Sequence, residues 1–333
     1  MSSWSCLRLL LFLSGLAGAN INMNNNKVIE AQNLTKKYGK FVAVDNINLS
    51  IAEGEVFGFL GPNGAGKTTT ILMLMGFSEP SSGSIKITGY NPAREPVKVK
   101  KVVGYMPERI GFYDDLTARE NLTYTGRLNG IETRKLNEVI ERLLEEVGLK
   151  EKADQLVGKY SHGMKQRLGI ADVMVKQPRV AIFDEPTSGI DPEGTDQVLN
   201  LIQNMAKEKV TVLISSHQLH QVQKICTQVG IFSNGKIVAS GSVDKLGREA
   251  LRKGKFNIIL PIAQIAPNVR DDILKIPGTV SIDNIADSTV VVADDDISKA
   301  LEEVVYRSSG LKVQMKVEEF ELEEIYMKYF KES

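Results

Sequence analysis

The eight residues Gly61-Pro62-Asn63-Gly64-Ala65-Gly66-Lys67-Thr68 follow the spacing G-x-x-x-x-G-K-[ST], which suits the grip of a polyphosphate. Its glycines let successive backbone N–H groups turn inward around a β-phosphate, Lys67 reaches the β/γ oxygens, and the Thr68 hydroxyl can ligate Mg²⁺. A second group adds what a grip alone lacks. Val180-Ala181-Ile182-Phe183-Asp184-Glu185 is an apolar run ending in two carboxylates; Asp184 suits a hydrated Mg²⁺, and Glu185 suits the polarisation of an attacking water. His217 follows the run Val210 to Ser215 and Ser216, so it falls at the carboxyl end of a strand, where open α/β sheets collect ligand contacts. Beside the other two groups it reads as a γ-phosphate contact. His162 and His220 have no comparable support. The chemistry these residues share is nucleotide hydrolysis.

Such side chains need a scaffold that gathers strand ends. The loop follows the apolar strand Val56 to Leu60 and precedes the helical run Thr69 to Met75. From Val28 to about Gly241, short β-branched runs alternate with longer helical patterns, which predicts an α/β domain with a largely parallel core sheet. Further strands are expected at Val180 to Asp184, Val210 to Ser215 and Gly230 to Phe232. Leu136, Val139, Ile140, Leu143, Leu144 and Val147 recur at helical spacing, opposite Glu138, Glu141, Arg142 and Glu145 and before Gly148, which predicts an amphipathic helix. Residues 109–165 therefore read as a helical insertion. Beyond Gly241 to Gly254 the pattern loosens, and a smaller α/β unit is expected, with strands at Phe256 to Leu260, Thr289 to Ala293 and Lys312 to Val317. Two helical stripes follow the same logic, Ile297 to Val305 and Leu322 to Phe330. Asp294-Asp295-Asp296 reads as a helix-capping group rather than a metal site.

The 333 residues correspond to roughly two domains. Lys+Arg and Asp+Glu are 41 each, so no global basic field draws nucleic acid or anionic lipid, and no nucleic-acid partner is expected. Two cysteines, Cys6 and Cys226, cannot build a disulfide framework or a four-ligand zinc site. At the N-terminus, Arg8 precedes the apolar stretch Leu9 to Ala19, which ends in Ala17-Gly18-Ala19 and is similar to a secretory signal. It is too short to span a bilayer. Residues 1–26 are read as a leader or a misassigned extension with Met23 as the true start, and no secretion is expected from them.

At Tyr160-Ser161-His162-Gly163-Met164-Lys165-Gln166-Arg167-Leu168 a short loop opens a helix, and here the chain resembles the ATP-binding subunit of ABC transporters. The resemblance covers about residues 28–245. It includes, in family order, Tyr38, the phosphate loop, Gly104-Tyr105-Met106-Pro107-Glu108, the signature, Asp184-Glu185-Pro186-Thr187, Ser188-Gly189-Ile190-Asp191-Pro192 and His217. It implies a P-loop NTPase fold over 27–244 with a mixed core sheet and an inserted helical subdomain, followed by a small C-terminal α/β accessory domain over 245–333.

By the same resemblance, Tyr38 would stack on adenine, Glu108 would take the place of the usual metal-contacting Gln, and Asp191 would lie in a loop that communicates across a dimer. Ser161 and Gly163, at the signature helix N-terminus, would face the phosphate loop of the opposite subunit, so one copy of each motif implies ATP-driven homodimerisation or pairing with a second ATPase subunit. His162 and Met164 depart from the commoner Leu-Ser-Gly-Gly-Gln, and Gln221 stands where many relatives have Glu. These departures are similar to the export-type branch whose permeases are separate polytopic chains. The implied protein is a peripheral ATPase at the cytoplasmic face of the cell membrane, using ATP and Mg²⁺. Two other readings are a soluble ABC ATPase in translation or DNA repair, and a binding module without turnover. Against the first stands the absence of a second ATPase domain and of long coiled coils; against the second stands retention of Lys67, Asp184, Glu185 and His217.

Overall fold

In the computed structural model, residues 27–251, 255–310, 312–318 and 320–331 are described. Cys6, the signal-like stretch from Arg8 to Ala19 and the alternative start at Met23 lie outside the described residues. The chain begins with β1 (Lys27–Tyr38), β2 (Phe41–Ala52) and β3 (Val56–Leu60), then α1 (Lys67–Leu74), β4 (Ser82–Ile87), α2 (Pro96–Val102) and β5 (Val103–Met106). Helices α3 (Ala118–Leu128), α4 (Thr133–Glu146) and α5 (His162–Met174) follow. The chain returns through β6 (Val180–Asp184), α6 (Pro192–Lys207), β7 (Thr211–Ser216), α7 (Leu219–Ile225), β8 (Gln228–Ser233), β9 (Lys236–Gly241) and α8 (Val243–Leu251). Last come β10 (Phe256–Leu260), α9 (Pro267–Leu274), β11 (Thr279–Ile285), β12 (Ser288–Ala293), α10 (Ser298–Ser309), β13 (Lys316–Val317) and α11 (Leu322–Lys331).

The central sheet has the order β5-β6-β7-β3-β8-β9. Its first five strands run parallel and β9 closes the edge antiparallel to β8. Strands β3 and β6 are buried at every position, as expected of parallel strands covered on both faces, which read as continuous apolar runs instead of alternating ones. Their register aligns Met106 with Phe183, Asp184 with Ser215, and Ser216 with Leu60. One rim of the sheet therefore collects every polar strand end the sequence singles out.

The core sheet is thus largely parallel, as the sequence predicts, and a separate antiparallel sheet, β2-β1-β4, adds strands that the sequence reading did not place. Its long strands are legible only in part because register shifts interrupt their alternation, with Asn33 and Asn46 in left-handed backbone at φ 49° and 54°. The predicted insertion is helical, and its own core joins Leu122, Leu136, Ile140, Leu143 and Leu144 to Leu168 and Ala171 of α5. Thr117 and Glu120 form a reciprocal capping box at the start of α3, and Gly148 sits just past α4 at φ 66°, the backbone that stops a helix.

Strands β11-β12-β10-β13 form an antiparallel sheet with α9 and α10 between them in sequence, a β-α-β-β-α-β unit. The run Lys312 to Val317 was expected as a strand, but only Lys316 and Val317 pair with β10. Asp296 accepts hydrogen bonds from the Ser298 N–H at 3.0 Å and from the Ser298 hydroxyl; these bonds hold its carboxyl below the usual range. Helix α11 leaves this unit and packs on the first domain. Leu322 and Ile325 share a buried cluster with Leu60, Val222, Ile231 and Leu246. Among the described residues, no helix is long and apolar enough to cross a membrane.

Candidate nucleotide site

The phosphate loop turns between β3 and α1 through glycines whose backbone excludes a side chain. Gly66 has φ 105°, and a Cβ there would lie 2.7 Å from the Ala43 carbonyl oxygen; Gly61 has φ 148°, and its Cβ would lie 2.5 Å from the Phe232 carbonyl oxygen. Lys67 folds back over the loop, donating to the carbonyls of Gly61 at 2.6 Å and Pro62 at 3.2 Å. Burial pulls its amine below the usual lysine range, an effect opposed by Glu185 and Asp184. The Thr68 hydroxyl donates to Asp184 Oδ2 at 3.2 Å, joining the first turn of α1 to the end of β6.

The two carboxylates are organised by β7. The Ser215 hydroxyl donates to Asp184 Oδ1, while the Glu185 N–H donates to the Ser215 carbonyl at 3.1 Å. Glu185 sits in left-handed backbone at φ 51°, a conformation that costs about 1–3 kcal/mol and persists only where its surroundings enforce it. That turn aims its side chain at His217, whose Nδ1 lies 2.9 Å from Glu185 Oε2. Glu185 Oε1 is buried with no protein partner among the described residues. On the adjacent strand, burial and then the Asp184 charge push the Tyr105 phenol up to about 12.

A cleft of about 380 Å³ opens over this rim. Pro62, Asn63, Gly64, Gly66, Lys67, Thr68 and Thr69 line one side, and Glu108, Glu185 and His217 the other. Tyr38 is half exposed at the end of β1, with the Lys36 ammonium 5.0 Å from its ring centre. Phe41, across the hairpin turn, is the aromatic that lines the cleft. Ala65 is buried beneath the loop. Ser161, Gly163 and Asp191 lie elsewhere, around a second recess of about 260 Å³ that shares no lining residue with the first. Ser161 caps α5 by accepting the Met164 N–H at 3.2 Å. Asp191 caps α6 by accepting the Gly194 N–H at 2.7 Å. His162, in the glycine position of the commoner signature, donates from Nε2 to the Ser188 carbonyl at 2.8 Å and so ties the signature to the Asp191 loop.

Sequence reading missed two positions and one contact. Ser215 was read only as part of a strand end, although a hydroxyl closing an apolar run was a usable signal. Phe41 was masked by Tyr38 three residues earlier. The bond from Thr187 to Gln221 joins residues from different elements and leaves no local trace.

The ABC transporter family model matches residues 44–188. The bacitracin transport ATP-binding protein BcrA of Bacillus licheniformis is 41% identical over 232 residues, 69% of this chain and 75% of the relative. The linearmycin resistance ATP-binding protein LnrL of Bacillus subtilis is 38% identical over 215 residues, 65% of this chain and 69% of the relative. A solved ATP-binding subunit of an ABC transporter superposes with TM-score 0.62 at 29% identity, covering 67% of this chain and 92% of the other. The loop, carboxylates and strand order already demanded a P-loop nucleotide hydrolase, and the similarity extends well beyond those motifs: the chain belongs to the ATP-binding proteins of ABC transporters, ATPases whose hydrolysis is coupled to transport.

Proposed function

We propose that this chain is the ATPase subunit of an exporter, driving a separate polytopic permease through ATP-dependent dimerisation at the cytoplasmic face of the membrane. The observation that carries the hydrolytic part is the hydrogen-bonded chain from Thr68 through Asp184 and Ser215 to Glu185 and His217 at the mouth of the phosphate loop. In this reading the loop N–H groups and Lys67 hold the β- and γ-phosphates. Tyr38, Glu108 and Asp191 complete the contacts, with Phe41 as a second aromatic beside the base. Glu185 orients water through Oε1, a buried acceptor with no donor among the described residues. His217 holds the other carboxylate oxygen and faces the γ-phosphate.

The hydroxyl of Thr68 and the carboxylates of Asp184 and Glu108 are hard oxygen donors that fit Mg²⁺, a metal that keeps several waters and shares its remaining positions with phosphate. When bound there, Mg²⁺ neutralises phosphate charge. Ser161 and Gly163 would supply N–H groups and positive helix-end potential to the nucleotide of the opposite subunit. Residues 27–244 act as the motor and 245–333 as an accessory domain. The export assignment follows the relatives named for bacitracin transport and linearmycin resistance.

The test pairs two measurements. Glu185→Gln is expected to abolish turnover of MgATP while the protein accumulates as an ATP-bound dimer, read by size-exclusion chromatography with light scattering; a variant that stays monomeric contradicts the role. The tagged full chain, solubilised in detergent, should recover a polytopic membrane protein stoichiometrically by mass spectrometry. Recovery with ribosomes or repair proteins would replace the exporter reading with a soluble ATPase.

A further inference from the structure

Helix α7 begins two residues after His217 and has only seven residues, too few to hold itself in place. Its position is set from outside. On one face Gln221 accepts from the Thr187 hydroxyl and donates to Gln218, which ties α7 to the segment that follows Asp184 and Glu185. On β3, a Cβ added to Gly58 would lie 2.6 Å from the Val222 side chain, so α7 rests directly on the strand that feeds the phosphate loop. Helix α6 holds it too: Gln203 Nε2 donates to the Lys224 carbonyl at 3.0 Å, and Lys224 pairs with Asp196 at 3.1 Å. Further contacts come from the far end of the chain. Gln223 Nε2 donates to the Phe320 carbonyl at 3.0 Å, and its Oε1 accepts the Leu322 N–H at 2.7 Å.

The Gln223 side chain thus serves two main-chain groups at once, one as donor and one as acceptor. A primary amide can do this and an ionised carboxylate cannot. Phe320 is seated as well as bonded. A Cβ on Gly247 would fall 2.1 Å from its ring, which accounts for a glycine inside α8, where it costs about 1 kcal/mol relative to alanine. Leu322 and Ile325 are fully buried against Val222, Leu60 and Ile231, so the same apolar cluster touches α7 and the last residue before Gly61.

We propose that Gln223 is a positioning residue for ATP hydrolysis: it holds the C-terminal segment Phe320–Lys331 against α7, and that clamp fixes the hydrogen bond between His217 and Glu185. The small antiparallel unit lies between α8 and α11 in sequence, so both of its ends terminate at the clamp. The inference rests on the hydrolytic reading of the nucleotide cleft.

The test uses the full chain with Gln223→Glu and, as a non-titrating control of similar length, Gln223→Met. At pH 7.5 both variants should show faster amide hydrogen exchange over Leu322–Lys331, an ATP KM within about twofold of wild type, and a kcat lower by about tenfold, since a small misplacement of a catalytic group costs up to about 100-fold. The Glu variant regains a donor when its carboxyl is protonated, so its kcat relative to wild type at the same pH should climb back as pH falls, while the Met ratio stays flat. Phe320→Ala, which loosens the same segment while leaving every residue of α7 unchanged, should repeat the split between KM and kcat if the Gln223 variants fold poorly. Faster exchange with kcat unchanged would overturn the proposal, as would unchanged exchange in the Glu variant or parallel pH ratios for Glu and Met. A wild-type protein without ATPase activity would sink the underlying hydrolytic reading instead.

Discussion

At Gly66 the identity of one residue follows from two independent constraints, a φ of 105° and a carbonyl oxygen 2.7 Å from where a Cβ would stand. Gly64 meets only the first, since its φ is 82° and nothing lies within 4 Å of the added carbon. The two glycines should therefore separate under the same substitution. Gly66→Ala is expected to lower stability by about 1–3 kcal/mol and to weaken nucleotide binding, because the backbone must shift as well as strain. Gly64→Ala should cost about 1 kcal/mol through backbone strain alone. Thermal unfolding and nucleotide titration of both variants check the ordering, and equal losses would mean that the Ala43 contact is unimportant. The same residue-scale logic applies to Ser215, whose buried hydroxyl serves the Asp184 carboxylate while its carbonyl accepts the Glu185 backbone N–H.

Helix α5 carries the signature at its N-terminus and, three turns on, a charge in an apolar setting. Asp172 is largely buried, bonds the Thr125 side chain of α3, and leaves Oδ1 without a partner among the described residues. Burial raises its carboxyl above the ordinary 3.8, against the opposing effects of Thr125 and Lys176. An acid whose folded pKa lies above its unfolded value binds more protons when folded, so the fold loses stability as pH rises from 3.8 through the folded pKa. Asp172→Asn removes that loss. The variant should gain on wild type across this window and stand ahead of it at neutral pH. Urea unfolding at a series of pH values measures it, and a difference independent of pH would assign the effect to packing.

At the scale of the whole molecule, the phosphate cleft and the signature recess share no lining residue. If each completes the other across a dimer, two defects in different chains complement. Lys67→Ala and Ser161→Arg are each expected to be inactive alone. In an equal mixture about half the dimers are mixed, and each of these holds one intact composite site, so activity should return to about a quarter of wild type. Absence of recovery at every mixing ratio would argue against sites built from both subunits.

The sequence alone determined the chemistry: a phosphate grip and a pair of carboxylates at the end of an apolar strand are local patterns, and the backbone and hydration physics behind them acts within a few residues. It also determined the helix Thr133–Glu146, whose Leu136, Val139, Ile140, Leu143 and Leu144 are buried, because amphipathic stripes encode burial directly. The antiparallel sheet β2-β1-β4 was hidden by irregular alternation in its long strands. What only the tertiary structure decided are the pairings. Gln223 meets Leu322 across 99 residues, Glu185 meets His217 across 32, and Thr68 meets Asp184 across 116. A hydrogen bond needs its partners within about 3 Å, and nothing in the local pattern of a glutamine or a serine records which distant strand or helix the fold will place beside it.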